Sequence, residues 1–162
     1  MTKKYTGRCA CGVVKFEFDT DPTFIVDCYC KDCQKASGGA MATFFGVPQD
    51  DFTLTSGKPK SFHYVAESGK GLARNFCPDC GARLFTSDLE SFPGMVFVMI
   101  GSLDRADGIE PELEMFTKRR SNGQSHWTSR NSPACPVERI RHARSRLYDL
   151  NTIIFRRSFH GQ

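Results

Sequence analysis

The clearest period in the chain is two. In Val14-Lys15-Phe16-Glu17-Phe18 apolar and charged positions alternate strictly, which puts Val14, Phe16 and Phe18 on one face of a strand. Beside this strand at 13–18, shorter apolar runs predict others at 24–27, 41–47, 52–56, 60–65, 73–76, 83–87, 95–101 and 113–118. Turn formers separate them: Asp21-Pro22, Pro48, Ser56-Gly57-Lys58-Pro59, Gly69-Lys70-Gly71, Phe92-Pro93-Gly94 and Asp107-Gly108. Many short strands punctuated in this way predict an all-β sheet or sandwich, not a βαβ array. One short helix is expected at 30–37, which lacks strand formers and stops at Gly38-Gly39. A second is expected near 137–150, but Ile140, Leu147 and Leu150 make a stripe too thin to pack firmly on a core.

Composition supports the strands. Of 162 residues 40% are apolar, enough for one domain with a core plus a tail, and Phe, at 14, far outnumbers Trp and Tyr. The net charge of +4 is concentrated at 136–162, where six Arg face only Glu138 and Asp149. Such a tail suits nucleic acid or an acidic lipid surface, although a solvated terminus is the plainer reading. The basic start, Met1-Thr2-Lys3-Lys4, has no apolar stretch behind it to make a secretory signal. The longest apolar run, at 95–100, is far short of the roughly 20 residues that cross a bilayer. A cytoplasmic protein without a membrane span is therefore expected. In that reducing setting, cysteines serve as metal ligands or catalytic thiols more readily than as disulfides.

Seven of the eight cysteines fall in three tight clusters: Cys9-Ala10-Cys11, Cys28-Tyr29-Cys30-Lys31-Asp32-Cys33 and Cys77-Pro78-Asp79-Cys80-Gly81. Zinc needs thiolates converging at about 2.3 Å, and a two-residue spacing on a tight turn delivers two sulfurs to one ion. Cys9, Cys11, Cys77 and Cys80 together make a closed structural Zn2+ site that staples the first strand to the middle of the chain. Cys28, Cys30 and Cys33 remain, and three protein ligands with an open position are the usual arrangement of a zinc that does chemistry. A fourth ligand from Cys135, His63 or His126 would instead close a second structural site. Cys135, with no spacing partner, is most simply a loop thiol.

At these residues the chain resembles the glutathione-dependent formaldehyde-activating enzyme family, also called the centromere protein V family. Gly7-Arg8-Cys9-Ala10-Cys11-Gly12, the run from Cys28 to Gly38, and Asn75-Phe76-Cys77-Pro78-Asp79-Cys80-Gly81 carry the likeness. Gly101-Ser102-Leu103-Asp104, Pro111 and Phe116 extend it over about residues 5–120. The resemblance implies a mainly β, Mss4-like fold of zinc-stapled antiparallel sheets with one short helix, at 5–120. A basic C-terminal extension, helical or disordered, is expected at 121–162. It also implies two zinc sites divided as above, binding of glutathione, and the joining of formaldehyde to its thiol. The family usually has His between the first two cysteines of the middle cluster, where this chain has Tyr29. The tail after Ser121 fits the family poorly: either Trp127 is the family's late Trp displaced by an insertion, or the last forty or so residues are an unrelated or mistranslated end.

Three thiolates leave a zinc site at a formal charge of −1, a weaker Lewis acid than three neutral His would leave. Such a site acidifies water poorly but suits an incoming thiol, whose sulfur stays nucleophilic as its pKa falls. The expected activity is thus a carbon–sulfur lyase of the S-(hydroxymethyl)glutathione synthase type, adding glutathione or another small thiol to a small aldehyde, with Cys28, Cys30 and Cys33 at the catalytic centre. Lys31, Lys35 and Arg74 are candidates for a glutathione carboxylate, with solvation the plainer reading of each. Phe44 and Phe45 are either pocket lining or core, and His63 an ordinary half-exposed strand residue. Two other functions compete: a non-catalytic zinc-stapled module using the basic tail for an acidic partner, and sulfur redox chemistry at Cys135, as in the methionine sulfoxide reductases, which share a similar β scaffold.

Overall fold

Alternation along Val14, Phe16 and Phe18 builds the core: all three are fully buried, while Lys15 between them is exposed. The computed structural model describes residues 4–121. The second helix expected near 137–150, the basic tail, His126, Trp127 and Cys135 lie outside those residues.

The described strands form two sheets. The smaller one orders β1 (Tyr5–Arg8), β2 (Lys15–Phe18) and β5 (Thr53–Ser56) as β1-β2-β5, antiparallel throughout. The larger has seven: β3 (Ile25–Cys28), β4 (Ala42–Pro48), β6 (Lys60–Val65), β7 (Gly71–Phe76), β8 (Arg83–Ser87), β9 (Met95–Met99) and β10 (Leu113–Met115). Its order is β10-β3-β4-β9-β8-β7-β6. The one α-helix among the described residues, α1 (Lys31–Ser37), connects β3 to β4 and ends on Gly38 in the left-handed conformation, as its glycine stop predicts.

The mainly β reading therefore holds, with two corrections. The sheets are not wholly antiparallel, because β10 runs parallel to β3 at the edge, pairing Leu113 with Val26 and Met115 with Cys28. The strand expected at 113–118 also stops at Met115: Phe116 adopts positive φ and the chain turns into a 3-10 helix, Thr117–Arg119. β1 was not foreseen. Its four residues carry only Tyr5 as a large apolar side chain, and its Gly7 is bare because the Phe16 ring and the Ser102 carbonyl occupy the space a Cβ would need.

The larger sheet has two different faces, and successive side chains divide between them. One face packs on the smaller sheet: Phe45, Val47, Val96 and Val98 join Val14, Phe16 and Phe18 in the main core. The other face carries Phe44, Phe97 and Met99 and forms a second cluster with Val26, Cys28, Phe24, Cys30 and Cys33. Phe45 is thus core and Phe44 belongs to the second face, so adjacent phenylalanines do different jobs. That second face positions the site.

Candidate functional site

The four cysteines of the first group come from the turns of two hairpins. Cys9 and Cys11 lie between β1 and β2, where the Cys9 N–H donates to the Val14 carbonyl at 3.0 Å and Gly12 sits at positive φ. Cys77 and Cys80 lie between β7 and β8, where the Gly81 N–H donates to the Cys77 carbonyl at 2.9 Å and Gly81 is again at positive φ. Left-handed glycines let each chain double back closely past its own sulfurs. All four sulfurs lie within 4.8 Å of one another, with Cys9 to Cys11 at 3.4 Å and Cys11 to Cys77 at 3.7 Å. A zinc tetrahedron with bonds of about 2.3 Å has edges of about 3.8 Å, so the donor set fits that ion. Burial pushes the Cys9 thiol up, but the Val14 N–H and the neighbouring sulfurs outweigh it and bring Cys9 down to about 6.

Cys28, Cys30 and Cys33 converge in the same way, their sulfurs within 4.8 Å of one another. The local structure explains the spacing. Cys28 ends β3, Cys30 is the N-cap of α1, and Cys33 lies in its first turn, donating its backbone N–H to the Cys30 sulfur at 3.3 Å. Cys28 is drawn down to about 6, chiefly because Cys33 donates its S–H to it, and Cys33 is raised as that donor. A thiolate at Cys28 near neutral pH is what a soft metal ion requires. Among the described residues no fourth His, Cys, Asp or Glu joins the three. His63 stands exposed on β6 and does not close the group.

Tyr29 points the other way. Its hydroxyl donates to Glu114 at 3.0 Å, Arg120 lies 4.3 Å over its ring, and its backbone N–H donates to the Met115 carbonyl at 3.0 Å. It anchors the β10 segment and does not line the cavity beside the sulfurs.

That cavity, ≈ 450 Å³, opens over the trio on the second face of the larger sheet. Phe24, Phe44, Phe92 and Phe97 form one wall, with neighbouring ring centroids 5.0–6.3 Å apart. Arg74 of β7 and Arg83 of β8 line another part. Arg74 lies 4.4 Å over the Tyr64 ring and donates to the Asp32 carbonyl at 3.3 Å; Arg83 donates to Thr86 Oγ1 at 3.1 Å. Among the described residues neither makes an ion pair, and Arg74 Nε with Arg83 Nε and Nη1 are shielded from water without a hydrogen-bond partner. Burial, with Arg74 nearby, holds the Arg83 pKa below its ordinary value, and the three sulfurs of the trio offset part of that. Lys31 and Lys35, the other candidates for an anion, do not line the cavity.

Arg83 was invisible to alternation. The pairing of β7 with β8 slips between Asn75 and Phe76, so Arg83 and Thr86, three residues apart, both reach the cavity. Nothing in the sequence marks that slip.

Residues 4–119 match the family model described as glutathione-dependent formaldehyde-activating enzyme. A crystal structure of a Rhodobacter sphaeroides protein superposes with a TM-score of 0.51 at 19% identity, covering 68% of this chain and 98% of that one. The second likeness is one of fold.

Proposed function

The chain belongs to the glutathione-dependent formaldehyde-activating enzyme family, and on that premise we propose that it joins the thiol of glutathione to formaldehyde or a related small aldehyde at the Cys28, Cys30 and Cys33 site. One observation carries the proposal: three convergent sulfurs, with no fourth described donor, open onto a cavity of ≈ 450 Å³. The quartet of Cys9, Cys11, Cys77 and Cys80, drawn from both sheets, is the structural zinc site of this reading.

Cys28, Cys30 and Cys33 would hold a zinc ion, which when bound would supply the Lewis acidity that lowers the pKa of an added thiol. The chain's own residues do the rest. Cys28, Cys30 and Cys33, which would hold the metal, are fixed by the end of β3 and the first turn of α1, and all three line the cavity. Arg83 and Arg74 bring positive charge to the side where an anionic thiol arrives, and Arg83 offsets the negative charge that collects on the sulfurs. Asp32 is held ionised by the Tyr64 hydroxyl at 2.5 Å, and its carbonyl orients Arg74.

Exchange spectroscopy on glutathione with carbon-13 formaldehyde tests the proposal. The zinc-loaded protein is expected to speed formation of the S-hydroxymethyl adduct, and Cys33→Ser to remove the acceleration while the chain stays folded. A wild-type rate equal to the uncatalysed one, or a cobalt-substituted trio whose visible spectrum glutathione never moves, overturns it.

A further inference from the structure

The cavity lining is more apolar than glutathione and formaldehyde require. Formaldehyde has one carbon and no apolar body, and glutathione is a charged tripeptide whose acidic groups suit Arg74 and Arg83. Neither fills the phenylalanine wall. That wall is continuous with the trio, because Cys28, Cys30 and Cys33 sit in the same apolar cluster as Phe24, Phe44 and Phe97. From Phe97 it runs outward to Phe92, whose ring lies 5.2 Å away and is 43% exposed, while Phe116 and Met115, 52% and 37% exposed, stand at the same cavity. Aromatic side chains left open along a recess beside reactive sulfurs are what an apolar ligand needs.

Backbone features keep this wall open. Gly46 of β4 has no side chain, and the Phe24 ring lies where its Cβ would be, 2.6 Å from that position. Phe24 therefore packs over Gly46, edge-on to Phe97 with centroids 5.4 Å apart, and lines the recess. Thr86 and Arg74 continue the row, since Phe97 pairs with Thr86 and Thr86 with Arg74 across neighbouring strands. The row thus grades from aromatic to cationic, and the two ends suit two different substrates.

We propose that the electrophile taken by this site is an aldehyde with an extended apolar body, alkyl or aryl, which lies along Phe24, Phe92 and Phe97 while the thiol occupies the Arg74 and Arg83 side. This deepens the thiol-addition reading and rests on it. The reaction is RS–H plus R′CHO giving RS–CH(OH)R′. A sulfur–carbon bond forms, the carbonyl π pair moves to oxygen, and the thiol proton ends on that oxygen. No oxidant or reductant is required.

The test uses the full-length zinc-loaded protein and two readouts. Titration calorimetry with unreactive alcohols, from methanol through propanol to hexanol and benzyl alcohol, is expected to show binding that tightens about fourfold per methylene until the wall is filled. With glutathione present, kcat/KM is expected to be at least tenfold higher for hexanal and benzaldehyde than for formaldehyde. Phe92→Ser, at a half-exposed ring, should lower the hexanal-to-formaldehyde ratio about fivefold, and Phe92→Leu should restore most of it. Alcohol binding that does not depend on length, or a formaldehyde preference, overturns the inference. Length-dependent alcohol binding with no turnover of any aldehyde sustains the apolar-ligand assignment and removes thiol addition instead.

Discussion

Tyr29 stands between two cysteines in the sequence, yet its side chain serves a different part of the protein. On an extended segment neighbours face opposite ways, so Cys28 and Cys30 turn to the cavity and Tyr29 to the Glu114–Arg120 segment. Any side chain at position 29 starts out directed away from the sulfurs, so Tyr29 acts in anchoring. Tyr29→Phe is accordingly expected to cost about 1 kcal/mol in urea unfolding, the worth of one hydrogen bond, with metal content unchanged. Glu114 gives the same contact a pH signature. Arg120, bonded to it at 2.5 Å, holds its carboxyl below the ordinary 4.5, and the Tyr29 hydroxyl lowers it further. A depressed carboxylate stabilises the fold above its unfolded pKa and loses that contribution as pH falls through the folded value. The Glu114 carboxyl carbon, followed by NMR, should therefore titrate below 4.5, and Arg120→Met should move it back toward 4.5. At this scale the seven clustered cysteines were legible because spacing alone announces them. Arg83 was not, because a slip in strand pairing decides which way it faces.

Elements were legible where period two was strong. β2, β4 and β9 alternate or run apolar because one or both faces are buried, and all three lie close to their expected positions. α1 was legible from its glycine stop. β1 was not, since it buries too little apolar surface to leave a pattern and is held by pairing with β2, whereas β10 was legible in its start but not in its end or its parallel ladder to β3. Two substitutions probe these points. Gly7→Ala drives a methyl group into the Phe16 ring and within 2.6 Å of the Ser102 carbonyl. Overpacking of this kind should cost about 3 kcal/mol, read as a lower midpoint in chemical denaturation. Phe45→Ala empties a fully buried position in β4 and should cost about 3–5 kcal/mol. A loss under about 1 kcal/mol for Phe45→Ala would mean that β4 is not the centre of the main core.

At the scale of the whole molecule, the described chain is two sheets pinned at one corner and open on one face. Cys9 and Cys11 belong to the smaller sheet's hairpin, Cys77 and Cys80 to the larger sheet's, so the quartet brings the two sheets together, with Cys9 and Cys77 buried in the main core. The trio lies on the outer face of the larger sheet and joins only β3 to α1. The order of the cysteine clusters let the sequence divide the sulfurs, but nothing local could give the strand order or show that a phenylalanine wall adjoins the trio. The two groups should fail differently. A closed metal site contributes directly to folding, so Cys80→Ser is expected to abolish the cooperative thermal transition. Cys33→Ser should keep that transition and lose about one zinc per chain.

X-ray absorption at the zinc edge, on the fully loaded protein with and without glutathione, bears most directly on the central claim. One sealed quartet and one open trio predict an average of between three and four sulfurs per zinc, with a lighter oxygen or nitrogen neighbour that gives way to a full four sulfurs when glutathione is added. Four sulfurs per zinc from the outset, or a coordination shell that glutathione leaves unchanged, would contradict the account.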